Sequence, residues 1–525
     1  MKYNIFKKTA SLLLALSLTC GCTAVTDELP DNYTETDLIT ETKTFSSETT
    51  TTEQSTIPTS EASSETTVSE ETELSEGSDI SENTASITTE TSSPPSSETE
   101  TEAAETVSET QFVPGTLPTE ASQTIATAPS ITIVTIPTIT QSSETASLTA
   151  SAETESYYPQ SSYYPLNFDR QKAVWVSYLE YDRIMRDSDE AAFTNALNAC
   201  FDNISSLGCN TVYFQVRVYG DAYYESSLFP KGDRLTGDYD PLEIAVRSAH
   251  DRGLSIHAWI NPMRLMTDSQ MKSYPQSYKI GEWYSDPSKN GKYIVNSAGR
   301  WYINPAYAET VSLICDGISE IVTAYDVDGV QIDDYFYPTT NESFDSAAYA
   351  SSGTSLSLAD WRRDNVTKMV RRMYDAVHSA NPKVLFGISP QGNTDNNFND
   401  LYADIYTWCS TSGCCDYICP QIYFGFENTA QPYAETVDKW DKLVTSPDVK
   451  LVIGLAAYKS GTEDKYAGNG VREWISSNDI LARQRELTDI YNAGYAFFRY
   501  DSLFLPAPAV AASVSAELNN LKAQQ

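Results

Sequence analysis

Eight short runs rich in β-branched and aromatic residues recur across residues 173–501, each followed by a segment of helix length. They are AVWVSYL from Ala173, NTVYFQVRV from Asn210, SIHAWINP from Ser255, DGVQIDDY from Asp328, KVLFGISP from Lys383, CDYICPQIYF from Cys415, KLVIGLAAY from Lys450 and YAFFRYD from Tyr495. Strands that alternate with helices build parallel sheets. The spacing predicts helices over 190–207, 241–252, 305–324, 359–380, 401–410, 433–444 and 479–491, several closed by a glycine as in SSLGCN, HDRGLS and YNAGYA. Eight such units predict a (β/α)8 TIM barrel rather than an open doubly wound sheet. No Gly-rich phosphate loop follows the first strand, so a dinucleotide fold has little support.

The 525 residues and the formal net charge of -37 average over three unlike segments. Residues 1–22 read as a secretory signal, with Lys2, Lys7 and Lys8 ahead of an apolar core at 11–18 that is too short to span a bilayer. The segment ends in LTCGC, which resembles a bacterial lipobox with Cys22 as the lipidated residue; ordinary signal-peptidase cleavage is the alternative. Residues 23–165 are Ser-, Thr- and Glu-rich with Lys43 as their single cation, so they cannot bury enough apolar surface to fold. ITIVTIPTIT, from Ile131, is apolar enough to pair as a strand and is still read as linker. Roughly two-thirds of the net negative charge falls in this segment, and it argues against nucleic acid as a partner. A spacer of this kind behind a lipid anchor reads as a stalk holding a domain outside the cell membrane, or a secreted one if the lipobox is not used. The folded domain is then 166–525, long enough for one large core. Seven cysteines lie in it, and the spacing of Cys409, Cys414, Cys415 and Cys419 is not that of a zinc ribbon, leaving free thiols or one disulfide.

Successive residues of a strand face opposite sides. In DGVQIDDYFYP, Gln331, Asp333 and Tyr335 therefore oppose Val330 and Ile332, and Asp333 stands at the strand's carboxyl end. The same parity predicts inward faces of Tyr213, Gln215 and Arg217 in the second strand and of Ser255, His257, Trp259 and Asn261 in the third. It predicts Cys419, Gln421 and Tyr423 in the sixth and Phe497, Arg499 and Asp501 in the eighth. A barrel carries its chemistry at the carboxyl ends of its strands. A mouth lined by these polar groups and rings suits a sugar, whose hydroxyls need hydrogen-bond partners and whose ring faces stack on aromatics.

The motifs VYFQVRVYGDAYYESSLFP, HDRGLSIHAWINPMRL, YINPAY, VDGVQIDDYFYP and DYICPQIYF, in this order, resemble the bacterial glycosyl-hydrolase-like family ten. The resemblance spans nearly the whole folded part. It implies a barrel-fold glycoside hydrolase and a polysaccharide partner, with peptidoglycan glycan strands freed of their stem peptides as the substrate class. DGVQID is also similar to the fourth-strand motif of α-amylase-type barrels, whose nucleophilic aspartate matches Asp333; Gln331 stands where those enzymes carry arginine.

Glycoside hydrolysis normally uses one carboxylic acid to protonate the leaving oxygen and one carboxylate as nucleophile or base. Asp333 is the first candidate. Asp334 joins it only if the chain bends after Asp333, and otherwise anchors a loop or caps a helix. The fifth strand ends GISPQGN without a carboxylate, so the partner acid comes from Asp334, from Asp221 or Glu225 after the second strand, from Glu180 or Asp182 after the first, or from Glu427. His257 either meets the substrate, tunes Asp333 or is a satisfied core residue. Arg217 and Arg264 suit a carboxylate such as a lactyl group, or hold Asp333 ionised. Trp259, Tyr335 and Tyr423 are sugar platforms or core rings, and Asn261, Asn304, Gln421 and Arg499 complete the expected binding set. No catalytic zinc spacing or Ser-His-Asp elbow occurs, so neither cofactor nor metal is expected. The rival reading is a non-catalytic carbohydrate-binding surface protein on a degenerate barrel.

Overall fold

Strands β1 (Lys172–Val176), β2 (Thr211–Arg217) and β3 (Ser255–Ile260) are buried at almost every position, as strands must be when helices cover one face and barrel contents the other. The computed structural model describes residues 160–524. The signal segment with Cys22 and the linker up to residue 159 lie outside the described residues. After β3 come β4 (Arg264–Thr267), β5 (Ile294–Ser297), β6 (Arg300–Ile303), β7 (Gly329–Ile332), β8 (Leu385–Ile388), β9 (Tyr417–Ile418), β10 (Lys450–Leu455) and β11 (Gly494–Phe497). Eight of these strands close into a barrel in the order β1-β11-β10-β9-β8-β7-β3-β2, every pair parallel. These are the eight runs read from the sequence.

The covering helices follow the expected apolar spacing. In Ala308–Ala324 the buried Val311, Ile314, Ile318 and Ile321 recur every three or four residues and make one stripe against the strands. Helix Pro241–His250 starts where Asp240 accepts from the amides of Leu242 and Glu243. Of the helix expected over 401–410 only Ile405–Ser410 forms, because Tyr402 has φ +55°, which no right-handed helix accommodates; a second short helix, Thr394–Asn399, precedes it. Between β3 and helix Ala308–Ala324 the chain also forms an antiparallel sheet, β4-β6-β5, that the sequence pattern did not disclose.

The barrel interior is a volume problem solved by pairing large rings with glycine. Trp175, Tyr213, Trp259 and Tyr417 fill it together with Ala173, Cys419, Val452 and Ala496. A Cβ at Gly387 would overlap the Tyr417 ring, and one at Gly329 would overlap His257. At the opposite end from the strands' carboxyl termini, the incoming chain seals the barrel. Asp328, fully buried, accepts from Tyr163 Oη (2.8 Å), the Leu166 amide (2.6 Å) and the Ile256 amide (2.7 Å), and pairs with His250 Nε2 at 3.0 Å. Ser161 donates to the Ala380 carbonyl, so chain read as linker up to residue 165 is already part of the packed unit from Ser161 onward. The seven described cysteines are all free and buried.

Overpacking a filled core costs about 1–3 kcal/mol. Gly387→Ala in the full chain should lower stability by at least that amount in urea denaturation; an unchanged midpoint would mean that the interior has room to spare.

Candidate active site

Pairing of β7 with its neighbours stops at Ile332, and the next two side chains both enter the barrel mouth. Asp333 continues the inward face: its Oδ2 accepts from Trp259 Nε1 at 3.0 Å, while its buried Oδ1 has no hydrogen-bond partner among the described residues. Asp334 would face outward if the strand continued. Freed of the ladder, it turns toward β8 and β9 instead, accepting from Gln421 Nε2 at 3.1 Å and from the Gln391 side chain. Gln421 also donates to the Ser389 carbonyl at 3.2 Å, which fixes its amide.

Burial raises both carboxyls above the ordinary carboxylate range, Asp333 well above it, and the neighbouring Asp334 charge adds to the push on Asp333. The magnitudes explain why. One hydrogen bond to a charged group contributes about 1.5–3 kcal/mol, whereas removing a carboxylate from water costs several kcal/mol. The Trp259 bond and the Tyr335 backbone amide therefore do not outweigh the burial of Asp333. On Asp334, the Gln391 and Gln421 amides pull back toward the charged form, and Arg264 favours charge on both. The two carboxyls act on each other, and the stronger push toward the protonated form falls on Asp333.

Aromatic rings surround this pair. Phe498, half-buried, lies 5.7 Å from Tyr423, 5.8 Å from Trp175, 6.1 Å from Tyr458 and 6.5 Å from Trp259 between ring centroids. On the side of β2 and β3, the Arg264 guanidinium sits 4.2 Å above Tyr335 and 5.3 Å from the Tyr219 ring, and Tyr219 Oη donates to Tyr178 Oη at 2.9 Å.

The structure thus brings together Asp333, Asp334, Trp259, Arg264, Tyr335, Gln421 and Tyr423. Asn261 stands beside them, its Nδ2 on the Val218 carbonyl and its buried Oδ1 without a partner among the described residues. Other expected members go elsewhere. A β-bulge between Gln215 and Arg217 pairs Arg217 with Ile260, reversing its face. Arg217 consequently lies under Gly317 of helix Ala308–Ala324, stacked 4.6 Å from Phe229, and not in the mouth. Asp221 is a loop clamp that accepts from the Val218 and Tyr219 amides.

His257 is a core residue, its Nδ1 2.8 Å from Tyr417 Oη, and burial lowers its pKa to about 4, so it is neutral. Asn304 turns the chain into helix Ala308–Ala324 by accepting from the Ala306 amide. The eighth strand runs in the opposite phase to the expected one. Ala173, an interior residue, pairs with Ala496, so Ala496 and Phe498 face inward and Phe497 outward. Arg499 then binds the buried Glu180 at 2.6 Å, and Glu180 is further occupied by Ser177 and the Asp501 amide. Asp182 pairs with Arg186 and Arg234, and Glu225 and Glu427 are exposed, so none of these carboxylates joins Asp333. Sequence reasoning missed Phe498, Gln391, Tyr219 and Arg300.

Residues 171–468 match the family described as Glycosyl hydrolase-like 10. Glycosyl hydrolase DigH of Escherichia coli K12 is 32% identical over 349 residues, 59% of this chain and 76% of that protein. Glycosyl hydrolase YngK of Bacillus subtilis 168 is 34% identical over 313 residues, 54% of this chain and 60% of that protein. Among solved structures, α-L-fucosidase isoenzyme 2 from Paenibacillus thiaminolyticus aligns with a TM-score of 0.45 at 13% identity, over 68% of this chain and 49% of that one.

A carboxyl whose pKa is raised by folding stabilises the fold fully below its unfolded pKa, and that contribution is lost as pH rises through the folded value. For Asp333 the loss therefore falls above the ordinary carboxylate range. Asp333→Asn, which keeps the shape and the acceptor for Trp259, should unfold at a higher temperature than the parent at about pH 8, with the margin closing near about pH 4. A margin that is absent at pH 8 would contradict the burial penalty.

Proposed function

The chain belongs to the glycosyl hydrolase-like 10 family, and on that premise we propose that it is a glycoside hydrolase cleaving cell-wall glycan strands of the peptidoglycan type. The observation that carries this reading is the pair Asp333 and Asp334, two buried carboxyls with different hydrogen-bond settings at the carboxyl end of one barrel strand. Glycosidic cleavage asks for one proton and one negative charge at the same bond. Asp333, with its free Oδ1 and its proton, is placed to protonate the leaving oxygen. Asp334, held by two glutamine amides, carries the charge that acts as base or nucleophile. Phe498 and Tyr423 offer ring faces for sugar stacking, and Asn261 Oδ1 offers an acceptor for a hydroxyl or amide. Gln331 takes no part, because its Oε1 accepts from Trp175 and its Nε2 donates to Tyr417. The basic start and apolar core of residues 1–22 support attachment through Cys22, with the Ser/Thr/Glu-rich stretch as a tether outside the membrane.

The test is release of new reducing ends from purified glycan strands, with and without stem peptides, by the full chain. Positioned acid–base groups contribute about 10²-fold to 10⁴-fold, so Asp333→Asn and Asp334→Asn should each lose at least about 10²-fold. Binding of strands without release by the parent chain would replace hydrolysis with carbohydrate binding alone.

A further inference from the structure

The bulge that turns Arg217 away from the mouth leaves a guanidinium in the helix layer with nothing to donate to. Arg217 is 1% exposed, and neither Nη1 nor Nη2 has a hydrogen-bond partner among the described residues. No ion pair among the described residues includes it. One face of the guanidinium lies 4.6 Å from the Phe229 ring centroid. On the helix side, a Cβ at Gly317 would stand 2.8 Å from Nη1, so glycine is what lets the group lie against Ala308–Ala324. The neighbours that act most on its charge are Tyr224, Asp221 and Tyr274, in that order. Two of them are already committed: Asp221 Oδ1 accepts from the Val218 and Tyr219 amides, and Tyr274 Oη donates to the Gly220 carbonyl. Tyr224 is not, for its buried hydroxyl has no hydrogen-bond partner among the described residues. Ser226, the other hydroxyl acting on it, donates to Glu320 and accepts from the Leu228 and Phe229 amides.

A guanidinium keeps its proton in any protein setting, so its burial is not relieved by neutralisation as that of a carboxyl is. Buried N–H groups are as a rule hydrogen-bonded. Two guanidinium nitrogens and a phenol that can donate, all sealed from solvent, therefore ask for an acceptor that carries negative charge. A carboxylate or phosphate would bring two to four oxygens, for which these three groups are too few donors; a single-atom anion needs no more than they offer. We propose that Arg217 and Tyr224 hold a halide ion, chloride in physiological media, beneath the loop that follows β2. The same loop carries Tyr219 to its stacking place beside Arg264 and is clamped by Asp221, so the ion braces one wall of the mouth from behind. The halide site stands whatever the mouth binds.

The test uses the full chain dialysed into sodium gluconate and thermally unfolded across additions of sodium chloride at fixed ionic strength. Binding at one site raises the melting temperature with the logarithm of chloride concentration, by at least about 2 °C between about 1 and 100 mM. Sodium bromide should reproduce the rise. In Arg217→Gln the rise should disappear, and in Tyr224→Phe, which keeps the ring, it should need at least about tenfold more chloride. A parent melting temperature indifferent to chloride would overturn the site, as would the same rise in Arg217→Gln. If Arg217→Gln does not fold, Tyr224→Phe decides, and an unshifted chloride dependence in it overturns the proposal. A bound water in place of the ion leaves the parent indifferent to chloride while both variants lose stability, and that outcome also overturns it.

Discussion

The centre of this barrel is occupied by side chains too large for it unless their neighbours have none. Tyr417 stands where Gly387 leaves its space, and His257 where Gly329 does. Such a filled interior is rigid, because close-packed rings have nowhere to move. It is also polar enough to be specific. Tyr417 Oη meets both His257 Nδ1 and Gln331 Nε2, and Gln331 Oε1 accepts from Trp175 Nε1. With its rotamer fixed on both sides, Gln331 holds the strand whose next inward residue is Asp333, and Trp259, packed in the same interior, supplies a side-chain donor to Asp333. The position of the candidate acid is therefore inherited from the packing beneath it.

The mouth reverses the logic of the floor. Below, Asp328, the carboxylate that ties the incoming chain to the barrel, is well supplied, with four partners. Above, Asp333 keeps an unpartnered oxygen, and Asp334 is settled by glutamine amides with the Arg264 charge nearby. A buried carboxyl oxygen without a partner at the carboxyl ends of barrel strands is a group that a ligand can complete.

The fold was legible because a buried parallel strand leaves a strong local signature, and the eight runs map onto the eight barrel strands. Asp333, Trp259, Gln421 and Tyr423 followed from alternation. Alternation failed where the backbone departs from the regular pleat. The bulge before Arg217 turned that side chain to the helix layer, and the end of β7 pairing allowed Asp334 into the site. In β11 the error was one of phase: AFF offers two equally apolar faces, and only the pairing of Ala496 with Ala173 decides between them. The β4-β6-β5 sheet was missed because its strands have four residues each and mixed polarity, so neither period dominates. Arg300 was hidden with it.

The most direct test of this account is a carbon NMR titration of the Asp333 and Asp334 carboxyls in the full chain and in its Asp334→Asn form. The account predicts that Asp333 titrates above the ordinary aspartate range and moves back toward it when the neighbouring charge is removed. An Asp333 carboxyl that titrates in the ordinary range, indifferent to Asp334→Asn, would contradict the coupled pair on which the proposed chemistry stands.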